Sequence, residues 1–323
     1  EYTRLQSLPP KKQRSLRKHW KRSLVGIALT LAMGGSMLAA QPAMAANIHV
    51  TAGATGINSG DGCSLVEAII NANNDAQTHA ECTQGNGADT INLAGNTYSY
   101  TTAFGSLSAL PDIASNITIE GNGSTIQRDS AAGTNFRIIR VDSTGNLTLN
   151  EATITGGKAG SEGGGGIFNY GGTVSVKNST INENSAKNGG GIKNIASAYG
   201  GTYTATLTVE NSTISGNTAS SKGGGVSNQS ETYLFGSANA ELTINDSTIT
   251  GNSASNGGGI FSDEEISGGG SPSSTTNLNR SIISGNTGIA GQEVYNEDGT
   301  LYANNFNLFG RQSLTNAQAF SNF

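Results

Sequence analysis

The sequence predicts an all-β protein, a right-handed parallel β-helix with a short N-terminal capping helix, and three observations lead there. A short phrase returns six times, its apolar residues alternate, and a Gly-rich corner accompanies it in four coils. The copies are LTLNEATITGG from Leu147, VSVKNSTINEN from Val174, LTVENSTISGN from Leu207, LTINDSTITGN from Leu242, TNLNRSIISGN from Thr276 and LYANNFNLFG from Leu301. Their starts lie 27, 33, 35, 34 and 25 residues apart. Spacing of that size marks stacked supersecondary units, none of which can bury its apolar face alone.

Residues 1–46 are set aside first as a secretory leader. They hold eight of the 18 basic residues, an apolar run at 24–40, and the small-x-small cleavage pattern Ala43-Met44-Ala45. The mature chain is expected to carry no membrane span. Glu1 in place of Met suggests a fragment of a longer protein. After the leader, ten basic and 22 acidic residues leave a formal charge of −12, which argues against nucleic acid and anionic membranes as partners. Export to an oxidising compartment makes one local disulfide, Cys63 to Cys82, the expected use of the two cysteines.

Residues 47–88 are read as an N-terminal cap. Ser64-Leu65-Val66-Glu67 has the form of a capping box, and Leu65, Ala68, Ile69 and Ala72 follow at helical spacing. This helix is expected to cover the open end of the solenoid, whose strand edges would otherwise be unpaired.

Residues 89–323 are read as the β-helix. Alternation within each phrase has the two-residue period of a strand with one face inward. Stacking the phrases gives apolar columns. One holds Leu149, Val176, Val209, Ile244, Leu278 and Ala303, and another Ile154, Ile181, Ile214, Ile249, Ile283 and Leu308. In the column led by Leu147, Thr276 is the odd member. Asn184, Asn217, Asn252 and Asn286 recur at a corner, where Asn tolerates unusual backbone and bonds up and down a stack. Gly-Gly-Gly before Ile167, Ile192, Val226 and Ile260 allows tight corners and close backbone approach, with no Lys-Ser/Thr behind it to make a phosphate loop. Right-handedness is expected from the chirality of parallel crossovers.

DGCSLVEAIINAN from Asp61, the later Cys82, GADTINLAGNTYSY from Gly87 and ALPDIASNITIEGNGSTI from Ala109 resemble bacterial surface β-helix proteins of the CSLREA type. Val66 stands where that motif usually has Arg. The Gly-Gly-x-Ile and Ile-x-x-Asn repeats are similar to those of polymorphic outer membrane proteins and choice-of-anchor proteins. The resemblance implies a pectin-lyase-like solenoid on an exported protein of the cell surface, outer membrane or periplasm, often a surface or adhesion module. Fold of this kind does not carry an activity with it.

Function is therefore sought in the residues that vary between coils. Extra residues fall after the same corner in three coils, at 195–205, 229–240 and 263–275, and such insertions emerge on one side of a solenoid. They are expected to form a loop ridge bearing Tyr199, Tyr203, Tyr233, Phe235 and Glu231, suited to a polysaccharide or a cell-surface protein. Asp263, Glu264 and Glu265 are the candidate calcium ligands. No catalytic set is expected, and adhesion or envelope structure is the preferred role. The alternative is a calcium-dependent polysaccharide lyase or related hydrolase, with Arg280 as the nearest base in sequence.

Overall fold

A computed structural model describes residues 45–58, 60–105, 107–304 and 306–310, together with the backbone of 320–321. The expected leader lies outside the described residues. Every strand pairing in the described chain is parallel, and successive coils lie in register: Leu207 faces Val174 on one side and Leu242 on the other. The chain is a parallel β-helix, as the alternation predicts.

Each repeat runs through three walls. A 15-stranded sheet carries two segments per coil, for example Thr202–Glu210 and Thr213–Ser215, joined by a two-residue corner whose first residue has positive φ. That corner residue is Glu151, Asn178, Asn211, Asp246 or Arg280 in successive coils, with φ of 47–51°. A two-stranded sheet, Ser185–Asn188 with Thr218–Lys222, follows. The third wall is a seven-stranded sheet through Ile167–Tyr170, Ile192–Ala198, Val226–Thr232 and Ile260–Ile266. Leu, Ile and Val from the walls meet in one continuous buried core.

Polar residues hold the corners. Asn184, Asn217, Asn252 and Asn286 are buried, and each of the first three sends its backbone N–H and its Nδ2 to the Oδ1 of the next, at 2.9–3.1 Å. Nδ2 of Asn217 also donates to the Ile181 carbonyl. Buried amides are thus paired at every step. Glycine at the third corner position makes room: a Cβ on Gly225 would lie 3.1 Å from Asn252 Nδ2 and 2.7 Å from the Gly259 oxygen. In the last of these coils Glu293 replaces that glycine. Its buried carboxylate accepts from Asn286 Nδ2 at 2.6 Å and from the Gly285 and Asn286 amides, and so ends the ladder. A second ladder, not anticipated from the sequence, runs through Ser179, Ser212, Ser247 and Ser281. Each backbone N–H of the first three donates to the hydroxyl of the next, and each hydroxyl donates to the carbonyl two residues back.

At the N-terminal end, helix α1 (Leu65–Asn74) has the expected reciprocal capping box. Its Leu65, Val66, Ala68, Ile69 and Ala72 join the core beside Ile48, Ile91 and Ile117. Cys63 and Cys82 form the expected disulfide. No helix among the described residues is long and apolar enough to cross a membrane.

One column needs correction. Ile283 pairs with Phe309, and Leu308 pairs with the outward Ile282 and is exposed. The turn before this strand holds one residue more than in the five preceding repeats, with Phe306 at positive φ, so the alternation reaches Leu308 on the wrong face.

Candidate functional site

The three insertions are not loops. In each, the strand of the third wall continues outward, turns, and returns as the start of the next long-sheet strand: Ile192–Ala198 to Thr202–Glu210, Val226–Thr232 to Ser237–Asn245, and Ile260–Ile266 to Ser271–Asn279. Both layers keep the register of the barrel, and the tips also stack, with Tyr233 N–H donating to the Ala198 oxygen and Ser237 N–H to the Gly201 oxygen. The result is a two-layered fin on the side of the solenoid.

Small side chains allow it. Ala196 and Ala198 of one layer pack against Ala205, Ala238 and Ala240 of the other, in a core separate from that of the barrel. Ser230 and Thr232 are fully buried in the same layer as Ala196 and Ala198. Where the walls converge, buried Asn194 donates from Nδ2 to the Ala205 and Glu241 oxygens of the opposite layer, and Asn228 does the same to Ala240 and Thr275. In the third fin coil Ser262, Ser274 and Thr276 link their hydroxyls instead. That explains the polar Thr276 in an apolar column. Coils on either side have no fin, and the equivalent Asn169 and Asn296 donate to the oxygens of Gly172 and Gly299 and close tight turns.

Strand alternation sorts the candidate residues. Tyr199 and Tyr233 lie on the outer face of the third wall with rings stacked, centroids 4.7 Å apart and 10° between planes. Tyr199 is the more open, at 63 % exposure. Tyr233 donates its hydroxyl to Glu231 Oε2 at 2.8 Å, and this bond, helped by partial burial and by the charges of Glu231 and Glu265, raises its pKa. Tyr203 belongs to the other layer, in register with Ala238 and Pro272, and does not join the pair. Phe235 caps a tip and is the most exposed of the four aromatics, at 77 %.

Asp263, Glu264 and Glu265 are consecutive in a strand, so they alternate. Asp263 points outward and takes Lys222 Nζ at 2.9 Å, and Glu297 holds the same ammonium at 3.2 Å. Lys222 also lies 4.6 Å above the Phe261 ring. Glu264 faces the other way and accepts from the Ser274 amide. Glu265 is in register with Glu231. Among the described residues, no three His, Cys, Asp or Glu groups are close enough together to hold a metal ion. Arg280 sits at a corner of the long sheet, paired with Asp246 through two bonds of 2.6–2.7 Å, and does not join the acidic residues of the fin. Among the described residues, Asp263, Glu264, Glu265 and Arg280 are not brought together in one cluster.

Fold and site together define a parallel β-helix that carries a flat, aromatic-tipped fin on three coils. The Chlamydia polymorphic membrane protein repeat matches this chain at residues 211–229 and 246–263. That repeat belongs to a bacterial surface or outer-membrane family. Each match starts at the corner before a short strand, spans both the Ser and Asn ladder positions and the glycines, and stops at or near the base of the fin. No curated protein and no solved structure matches the chain.

Proposed function

We propose that this is an exported cell-surface or outer-membrane protein that binds a glycan on the outer face of its fin, in an adhesive or envelope role. The observation that carries the reading is the Tyr199–Tyr233 stack with the Glu231 carboxylate beside it. An exposed ring at the end of a stack offers the C–H face of a pyranose a flat partner, and a carboxylate beside it accepts from sugar hydroxyls. The base beneath is rigid, since every fin strand is bonded to its neighbour, and residues on rigid elements hold a binding geometry better than loops do. The repeat match supports surface placement. Residues 1–46 as leader, 47–88 as cap and 89–323 as β-helix are the organisation that goes with this reading.

The test is binding of the purified protein to immobilised neutral and acidic polysaccharides. Tyr199→Ala is expected to lower affinity about ten-fold, and Tyr203→Ala, on the other layer, to leave it unchanged. Equal binding by wild type and Tyr199→Ala, with both folded, rejects the fin face as the glycan site.

A further inference from the structure

A different coil carries a second site. Between the segment around Phe104 to Asp112 and the start of the third wall lies a cleft of about 380 Å³, lined by Phe104, Leu107 and Leu110 and by Arg137, Arg140 and Glu162. Its size falls in the range of small-ligand pockets.

Arg137 is the unusual group. Its side chain is 1 % exposed, and it is the largest fully buried side chain among the described residues. The guanidinium lies 4.6 Å from the centre of the Phe168 ring, a cation–π contact. Burial pushes its pKa down to about 10, so it remains a cation at neutral pH. A guanidinium has five N–H donors. Here Nε is buried without a partner, and Glu162 Oε2 stands 4.0 Å from Nη2, beyond hydrogen-bond reach. Glu162 is itself 55 % exposed and free to move aside.

The neighbouring cations are engaged. Arg140 pairs with Asp112 and with Asp142, the latter at 2.8 Å, and Lys193 donates to the Glu162 carbonyl. A buried charge so poorly bonded is destabilising unless an anion or other acceptor reaches it. A carboxylate matches the guanidinium fork in two parallel bonds. The Phe104, Leu107 and Leu110 side chains select what that carboxylate is attached to.

We propose that this cleft binds a carboxylate carried on an apolar body, with Arg137 holding the charge and Phe104, Leu107 and Leu110 holding the body. An apolar acid and a peptide chain ending in an apolar residue share this chemistry. Titration calorimetry on the whole chain tests the idea with 3-phenylpropionate and N-acetyl-leucine, each against its neutral amide. At least one acid is expected to bind ten-fold or more tighter than its amide, about the value of one charge-assisted pair. Tighter binding of 3-phenylpropionate assigns the site to free acids, and tighter binding of N-acetyl-leucine assigns it to chain termini. Glu162→Gln, which removes the competing carboxylate, is expected to tighten binding about five-fold. Arg137→Gln is expected to weaken it about thirty-fold or more. Leu107→Trp fills the mouth without touching the charge and is expected to abolish binding, which keeps the test usable if Arg137→Gln does not fold. Equal affinity for acid and amide, no saturable binding of either acid up to about 10 mM, or undiminished binding by folded Leu107→Trp overturns the proposal.

Discussion

Coils from Ile192 to Asn279 contain two cores built on the same strands. In the barrel, Ile192, Val226 and Ile260 share one core with Val209, Ile244 and Leu278; a few residues away along the same strands, Ala196, Ala198, Ala205, Ala238 and Ala240 close the fin. Register and backbone direction do not change between them. Side-chain volume does. Large aliphatic residues hold facing sheets about 10 Å apart, and Ala lets them converge. A buried Leu or Ile contributes roughly 1.5–3 kcal/mol and an Ala only a fraction of that. The barrel therefore supplies the stability, and the fin is a thin extension that the barrel keeps folded. The polar groups show the same division: Ser and Asn ladders of the barrel are bonded at each step, whereas Ser230 Oγ and Thr232 Oγ1 in the fin are buried without partners.

Breaking the barrel should have the largest effect. Asn252→Ala removes the acceptor for both the amide and the Nδ2 of Asn217 and the donor to the Ile214 oxygen, in a site closed to water. Two or three stranded polar groups at 1–3 kcal/mol each predict a loss of about 4 kcal/mol, measured by urea unfolding. A loss below about 1 kcal/mol would mean that the ladder is ornament on an apolar core.

Ala240→Leu asks whether the fin is as tightly closed as its composition implies. Overpacking is expected to cost about 2 kcal/mol. Hydrogen exchange should locate the damage in the 195–205 and 229–240 strands and leave the barrel amides protected. Stabilisation by the larger side chain would show that the fin layers have room between them.

Hydroxyls should respond with opposite signs in the two cores. Ser212→Ala removes an acceptor for the Ser179 amide and a donor to the Glu210 oxygen, and is expected to cost about 2 kcal/mol. Thr232→Val replaces an unpartnered hydroxyl by a methyl group of the same shape and is expected to stabilise by about 0.5–1 kcal/mol. Paired thermal melts decide it. Loss of stability in both variants would remove the distinction between bonded and stranded hydroxyls.

The same contrast explains what could be read in the chain beforehand. Barrel columns are legible because Leu, Ile and Val at period two have no other use, and Asn before a glycine corner has a known stacking geometry. The fin hides because Ala, Ser and Thr at period two, interrupted by Gly200-Gly201 or Gly268-Gly269-Gly270, look like loop composition. Its strands are dictated by the coils above and below, through pairings such as Ala198 with Thr232, and not by their own propensity. Read as a loop, the insertion groups Tyr203 with Tyr233; as a hairpin of two layers, it separates residues on either side of its turn. Alternation alone would have split Asp263, Glu264 and Glu265 had 263–275 been read as strand. Arg137 carries no signal in the sequence, since an Arg among Phe136, Ile138 and Ile139 becomes notable only when the ring of Phe168, one coil away, covers it. The serine ladder stands in the sequence as Ser179, Ser212, Ser247 and Ser281, one place after the corner residue, but serine is as usual in a solvated turn as in a bonded stack, so composition alone does not reveal it.

Lys222 provides the smallest and most selective test, because it ties the barrel to the base of the fin. It reaches from the two-stranded sheet over Phe261 to Asp263 and Glu297. Burial alone would lower its pKa; the Asp263 bond and the two carboxylate charges outweigh burial and raise it. A lysine whose folded pKa lies above its unfolded value, about 10.4, adds stability that is complete below that value and is lost as pH climbs through the folded one. Lys222→Met should therefore cost about 0.5–1 kcal/mol at neutral pH, and the gap to wild type should close in strongly alkaline solution. The ion pair is partly open to water, so high salt should narrow the gap as well. A difference that persists unchanged through the alkaline range would place the value of Lys222 in its hydrocarbon stem against Phe261, and the ion pair would then add nothing to the packing and the Asn194, Asn228 and Ser262 bonds at the base of the fin.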